Sequence, residues 1–289
     1  MPEERKRISR SNIYTPTSLA ELLSLYSKLP SALIYSGGTQ ILREQPTKYL
    51  TLPANVINIH RVQELGKISR TERHLDIGAT VPIGAILEVG ANVIPRVLGE
   101  ALATIGTPAI RNSATLGGNL CIPDRRMSTF SVYLLLDMHV ELRKTGSTRW
   151  IPLNRFAAPD RKIDLQRGEV LTRVRIPFAT WDTQLFKRID GEPGEPDNFL
   201  SFCGLARVQR DVITDIRIAC ATSGTTVIRS REIETELVGR KVPVAGRELA
   251  SIHEIMKNLL DSLEDPLSAF QRQRIQSVFA WFLNQLTSE

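Results

Sequence analysis

The chain of 289 residues has few cysteines, few histidines and few aromatic residues, and it has no long apolar run. Three cysteines, Cys121, Cys203 and Cys220, stand far apart and are odd in number. They exclude a disulfide framework and the paired thiolates of a zinc or iron–sulfur site, and read as small apolar residues of a reducing cytoplasm. A membrane span needs about eighteen consecutive apolar residues, and none exists. The basic, polar start, Met1 to Asn12, leads into no apolar core of a secretory signal, so the expected location is cytoplasmic. The four histidines, His60, His74, His139 and His253, are isolated. Neither H-x-x-x-H nor C-x-x-C spacing occurs, and neither Ser36-Gly37 nor Ser223-Gly224 sits in the G-x-S-x-G frame of a nucleophile elbow. The chain therefore offers no acid, base, nucleophile or metal ligand set of its own, and any redox chemistry must come from a cofactor.

Two further classes fall on the same grounds. A net charge of +6 and a pI near 9.4 invite nucleic acid, but acidic and basic residues are mixed along the chain. Aromatics, at 6%, do not interleave with the basic residues as a base-stacking surface requires. A solvated surface or a face for an acidic partner subunit fits better. G-x-x-x-x-G-K-[ST] and G-x-G-x-x-G are both missing, which argues against a P-loop enzyme and a Rossmann dehydrogenase.

What is present is a mixed pattern. Ser18 with Glu21 reads as a capping box opening a helix through Leu19, Leu22, Leu23 and Tyr26. Ala32 to Tyr35, Val56 to Ile59 and Leu75 to Gly78 read as strands, and Ile94 to Ile105 as an amphipathic helix ended by Gly106, with Pro108 blocking extension. A polar loop is expected over Thr107 to Pro123, then a helix around Val132 to Leu136 and strands at 140–143, 149–151 and 170–176. Beyond Pro177 the pattern changes to a small antiparallel sheet, 185–189, 204–209 and 216–221, with 191–196 as a loop. The tail is a helix with one apolar stripe, Ile275, Val278, Phe279, Phe282, Leu283 and Leu286. A boundary is placed between Pro177 and Thr183.

Two adjacent-glycine pairs carry the chemistry. Ser36-Gly37-Gly38-Thr39-Gln40 follows a buried strand directly, and Thr115-Leu116-Gly117-Gly118-Asn119 lies in the polar segment. Glycine lets backbone come close to a ligand, and successive N–H groups can converge on an anion. Each pair alone also suits an ordinary tight turn. Together, two such loops would meet both faces of a pyrophosphate.

These residues also resemble a known family. Ile34 to Thr39, and above all Ile105-Gly106-Thr107-Pro108-Ala109-Ile110-Arg111-Asn112-Ser113-Ala114-Thr115-Leu116-Gly117-Gly118-Asn119-Leu120, are similar to the two flavin signatures of the molybdopterin dehydrogenase FAD-binding family. Leu75 to Thr80, Leu136-Asp137 and Glu169 to Pro177 match further positions. The resemblance implies an α+β fold: a two-subdomain FAD-binding unit of the vanillyl-alcohol oxidase / p-cresol methylhydroxylase type over residues 1–178 (about 1–60 and 61–178). A smaller α+β domain of the carbon monoxide dehydrogenase flavoprotein type would follow over 182–289. It implies non-covalent FAD, held by Ser36, Gly37, Gly38, Thr39, Gln40 and Ile41 on one side and by Thr115, Gly117, Gly118 and Asn119 on the other. Ile105 would pack on the cofactor, and Leu171 and Lys187 would lie near the isoalloxazine or its approach. Ser128 stands where relatives carry an aspartate. Asp124 is an alternative carboxylate, and Arg125 and Arg126 are candidates to attract an anionic acceptor. The implied partners are a small iron–sulfur subunit with [2Fe–2S] clusters and a large molybdopterin subunit, with NAD+ or another compound as acceptor. A stand-alone FAD-dependent oxidoreductase and a non-flavin scaffold remain as alternatives.

Overall fold

The computed structural model describes residues 11–45, 50–90, 92–122, 128–157, 163–191, 199–222, 227–263 and 267–286. The first unit is a small three-stranded parallel sheet: β1 (Asn12–Tyr14), β2 (Leu33–Tyr35) and β3 (Asn55–Asn58), in the order β1-β3-β2. Between its strands lie α1 (Leu19–Lys28) and α2 (Thr39–Arg43). Ser18 caps α1 by accepting the Glu21 N–H at 3.2 Å. The Glu21 carboxylate reaches back to the Thr17 N–H at 2.8 Å and not to Ser18, so the expected box closes one residue earlier. Leu22 is fully buried against Ile57, Ile59 and Leu65, which makes the amphipathic face of α1 the lid of this unit.

The second unit is built on an antiparallel sheet, ordered β4-β5-β8-β6-β7. Its strands are β4 (Ile68–Arg70), β5 (His74–Gly78), β6 (His139–Lys144), β7 (Ser147–Pro152) and β8 (Val170–Pro177). Helices α3 (Ile83–Glu88), α4 (Arg96–Ala103), α5 (Pro108–Ser113), α6 (Leu116–Leu120), α7 (Phe130–Leu135) and α8 (Leu153–Phe156) cover it. Two expectations change here. The helix expected over 94–105 is Arg96–Ala103, because Pro95 fixes its own φ and holds Ile94 out of helical geometry. The segment expected as loop, 107–123, contains α5 and α6: Pro108 starts a helix instead of stopping one, with Thr107 and Thr115 as side-chain N-caps.

The third unit is an antiparallel sheet of β9 (Thr183–Asp190), β10 (Phe199–Gln209), β11 (Val212–Thr222) and β12 (Val227–Ile228), followed by α9 (Arg231–Leu237), α10 (Gly246–Asp261) and α11 (Ala269–Asn284). Both faces of this sheet are covered. Phe186, Cys203, Leu205, Ala219 and Ala221 join the core of the second unit. Leu200, Phe202, Ile218 and Cys220 pack under the three helices, where the tail stripe of Ile275, Phe279, Phe282 and Leu283 is buried. Arginines fasten the seam between second and third units: Arg217 Nη1 donates to the Leu135 carbonyl at 2.7 Å and Arg229 Nη1 to Leu134 at 3.3 Å, both at the C-terminal end of α7. A cation belongs there, where the last carbonyls of a helix lack partners. Most of the loop expected at 191–196 lies outside the described residues. No helix of the described residues is long and apolar enough to cross a membrane.

Candidate functional site

The two glycine pairs meet. Strand β2, expected to be buried but half-buried throughout, ends at Tyr35, and Gly38 turns the chain with φ +67, a left-handed conformation, to start α2. Gly37 lies directly on the second signature: a Cβ there would sit 1.9 Å from the Ser113 carbonyl oxygen and 3.2 Å from the Ala114 Cα. Only glycine permits this approach. The second signature is in turn laced to the end of β5. Ile83 N–H donates to Ala114 O (2.9 Å), Leu116 N–H to Val81 O (3.1 Å) and Gly117 N–H to Ala79 O (2.9 Å). Gly117 has no room for a side chain, since a Cβ would come within 2.7 Å of the Ala79 carbonyl oxygen. Gly118 is exposed, and a Cβ there would meet only Thr115 Oγ1, at 3.0 Å.

Several donors at this joint have no partner among the described residues. Ser36 Oγ is buried and unbonded. The backbone N–H groups of Gly38 to Ile41 find no acceptor among the described residues, as expected for the first turn of a helix. Thr115 Oγ1 accepts the Gly118 N–H at 3.2 Å, and its own proton has no acceptor among the described residues. Asn119 is 6% exposed; its Oδ1 accepts from Thr129 Oγ1 (3.1 Å) and Tyr133 OH (3.0 Å). Burial raises the Tyr133 phenol far above its usual range, which keeps it a donor. Those two bonds fix the amide orientation and leave Asn119 Nδ2 without a partner among the described residues.

Of the remaining expected site residues, two lie near one another. Ile105, half-buried, follows Thr104, whose Oγ1 is 3.0 Å from the Ser128 hydroxyl. Leu171 is 4% exposed and paired with Leu142 across β8 and β6, so its side chain belongs to the core. The Lys187 side chain is not at this joint. Its Nζ lies 5.3 Å from the centre of the Trp281 ring on α11, on the opposite face of β9 from Phe186. Alternation along a strand decides this, because a one-residue step changes the face. Asp124, Arg125 and Arg126 lie outside the described residues.

Two residues not anticipated from the sequence hold the Ile105 loop. Arg111 Nη1 donates to the carbonyls of Ala103, Ile105 and Gly106 at 3.0, 3.0 and 2.9 Å, gathering the end of α4. Arg188, beside Lys187 but on the inner face, reaches the Thr104 carbonyl at 3.4 Å. Arg111 was visible in principle, as a cation one short helix beyond a helix end; Arg188 left no signal. The cysteines supply no nucleophile: burial lifts the thiols of Cys121 and Cys220 to about 12 and that of Cys203 well above its ordinary value.

The arrangement sets two glycine-built backbone turns side by side, with the buried, unbonded Ser36 hydroxyl between strand and helix and no catalytic side-chain constellation among the described residues. Comparison with known proteins gives this arrangement a family. Residues 8–179, more than half of the chain, match the FAD binding domain in molybdopterin dehydrogenase, and the chain belongs to that family. It is 28% identical over 240 residues to aldehyde oxidase 2 of Cavia porcellus, covering 78% of this chain and 18% of that protein. It is 27% identical over 173 residues to the xanthine dehydrogenase FAD-binding subunit of Escherichia coli O157:H7, covering 58% of each. The chain thus spans less than two thirds of the length of these relatives. Its fold matches quinoline 2-oxidoreductase from Pseudomonas putida 86 with a TM-score of 0.77 at 22% identity, over 96% of both chains. The expected α+β class is what the structure has.

Proposed function

We propose that the joint between the glycine pairs holds FAD non-covalently and that the chain is the electron-transferring flavin subunit of a molybdenum hydroxylase. The observation that carries the reading is the seating of Gly37 on the Ser113 carbonyl, which sets two backbone loops side by side next to the buried, unbonded Ser36 hydroxyl. Ser36 to Ile41 would hold the pyrophosphate from one side. Thr115, Gly117, Gly118 and Asn119 would hold it and the ribityl chain from the other, with Ile105 packed against the ring system. Ser128 would act through Thr104. Leu171 and Lys187 carry no side-chain role in this reading. Residues 1–178 are the proposed FAD-binding unit and 182–289 the proposed C-terminal domain.

Bound FAD supplies exchange between single-electron carriers and a two-electron acceptor. This chain's part is to bind the dinucleotide, orient it and exclude water from it. The electrons would come from [2Fe–2S] clusters on a small partner chain, the molybdopterin would sit on a large one, and NAD+ or another compound would accept. A purified full-length chain should show the visible absorbance of oxidised flavin and release it on acid precipitation, and gentle affinity isolation should recover both partner chains. A colourless protein that takes up no FAD on reconstitution overturns the flavin reading; recovery of a yellow monomer alone overturns the assembly.

A further inference from the structure

We propose that Arg188 is a positioning residue of the flavin site, holding the loop that carries Ile105 and placing a fixed positive charge at its rim. The inference rests on the FAD reading above. β9 and α4 lie side by side and are clasped at both ends by arginines of opposite origin. At the start, Arg96 of α4 donates to the Gln184 carbonyl of β9. At the finish, Arg188 of β9 donates to the Thr104 carbonyl, the residue that ends α4 and precedes Ile105.

The guanidinium is itself held. Its Cζ lies 4.7 Å from the centre of the Phe199 ring, and Nε donates to Asp190 Oδ1 at 2.8 Å. Stacking, and the use of two different guanidinium nitrogens for Asp190 and Thr104, fix an arginine in a way a lysine would match only in charge. Asp190 is largely exposed, with 71% of its side chain accessible, so its charge is screened more than that of Arg188, at 26%. Arg188 is thus the partner that reaches the Thr104 carbonyl, beside the Arg111 guanidinium on the Ile105 and Gly106 carbonyls, and it places positive charge directly on the Ile105 loop. A positive charge near a flavin favours the reduced, more electron-rich form and raises its midpoint potential. The same contact that shapes the pocket thus biases the electron equilibrium on it.

The test is the midpoint potential and the dissociation constant of FAD on the full-length chain, measured by dye equilibration and by flavin fluorescence. Arg188→Gln should lower the potential by about 30 mV, a tenfold change in the two-electron equilibrium, and weaken FAD binding several-fold. Arg188→Lys should keep the potential while losing part of the affinity. Asp190→Asn, a change at an exposed carboxylate, should raise the potential. Arg217→Gln removes a comparable clamp from the same sheet, on α7, and should leave both readings at the parent values. Equal shifts for Arg188→Gln and Arg217→Gln, or no rise with Asp190→Asn, would overturn the proposal and leave the flavin reading intact. A parent chain without FAD sinks both.

Discussion

The loop at Ser36–Gly38 and the turn at Thr115–Asn119 are both polar, both built on adjacent glycines, and both open a short helix, yet they are held by different means. The turn at Thr115 is part of the framework. Its backbone bonds run to Ala79 and Val81, the preceding Ala114 carbonyl accepts from Ile83, and Asn119 is anchored by Thr129 and Tyr133. The loop at Ser36 has none of this; it is placed by β2 behind it and by the Ser113 carbonyl under Gly37. A rigid half and a leaning half make one cradle. The difference teaches that the long second signature is specific because nearly every residue in it has a structural duty, whereas the short first one needs little beyond absent side chains.

The largest effects should separate the duties of the glycines. Gly37→Ala forces the Ser113 carbonyl aside and should cost about 3 kcal/mol of stability as overpacking, with FAD lost as well. Gly117→Ala should behave in the same way through Ala79. Gly118→Val meets no framework atom closer than 3.0 Å, so it should fold with a melting temperature near that of the parent apoprotein and fail to retain FAD. Calorimetry of the apo forms beside flavin content reads both. Tight FAD binding by Gly118→Val would show that this glycine does not face the cofactor.

Stability without a change of site should follow from the far edge of the second unit. Arg149 binds Glu169, 4% exposed, through two bonds of 2.8 Å and Asp164 Oδ1 through one of 3.0 Å. Burial pushes the Glu169 carboxyl up, but the Arg149 guanidinium and the Gln166 N–H more than offset it, and the group ionises below its usual range. Hydrogen bonding from Arg149 likewise holds Asp164 low. Carboxyls depressed in the folded state stabilise it above their unfolded pKa, and that contribution disappears as the pH falls through the folded value. Arg149→Ala strands a buried charge and should cost about 3–5 kcal/mol at neutral pH. It should also flatten the loss of melting temperature between about pH 5 and 3, while flavin content at low temperature stays at the parent level. An unchanged acid limb would remove this network from the account.

A finer cut isolates one atom. Asn119→Asp keeps an oxygen for Thr129 and Tyr133 and replaces Nδ2, which has no partner among the described residues, with a second oxygen. Loss of a donor and gain of a charge facing phosphate should weaken FAD binding about tenfold or more, roughly 1.4 kcal/mol, with little change in apoprotein melting.

Much of the fold was legible because its signals are local: strands at 33–35, 75–78 and 170–176 and the tail stripe appear where apolar period and turn residues place them. The segment 107–123 reads as loop when Gly, Ser and Thr are taken as breakers, but Thr107 and Thr115 are caps and Pro108 is a first helical residue. The glycine pairs were readable as backbone approaches to a ligand. Their mutual contact was not, since the carbonyl that excludes a Cβ at Gly37 lies 76 positions further on, at Ser113. Lys187 and Arg188 show the same limit at single-residue scale. Adjacent cations in one strand carry equal weight in a sequence, and only the register of β9 on β10 decides which one faces the flavin unit.

The smallest expected effect is also the most diagnostic for the leaning half. Ser36 Oγ is buried and bonded to nothing in the protein, which leaves its desolvation uncompensated in the absence of a ligand. Removing such a group from an empty site is neutral or mildly stabilising; removing it from a site where it donates to an anion loses a bond of about 1 kcal/mol. Ser36→Ala should therefore leave the apoprotein as stable as the parent, or slightly more so, and weaken FAD binding about fivefold. The melting temperature gained on adding FAD should shrink accordingly. Should Ser36→Ala destabilise the apoprotein and bind FAD as before, the hydroxyl serves the framework, and the contrast between the two halves is lost.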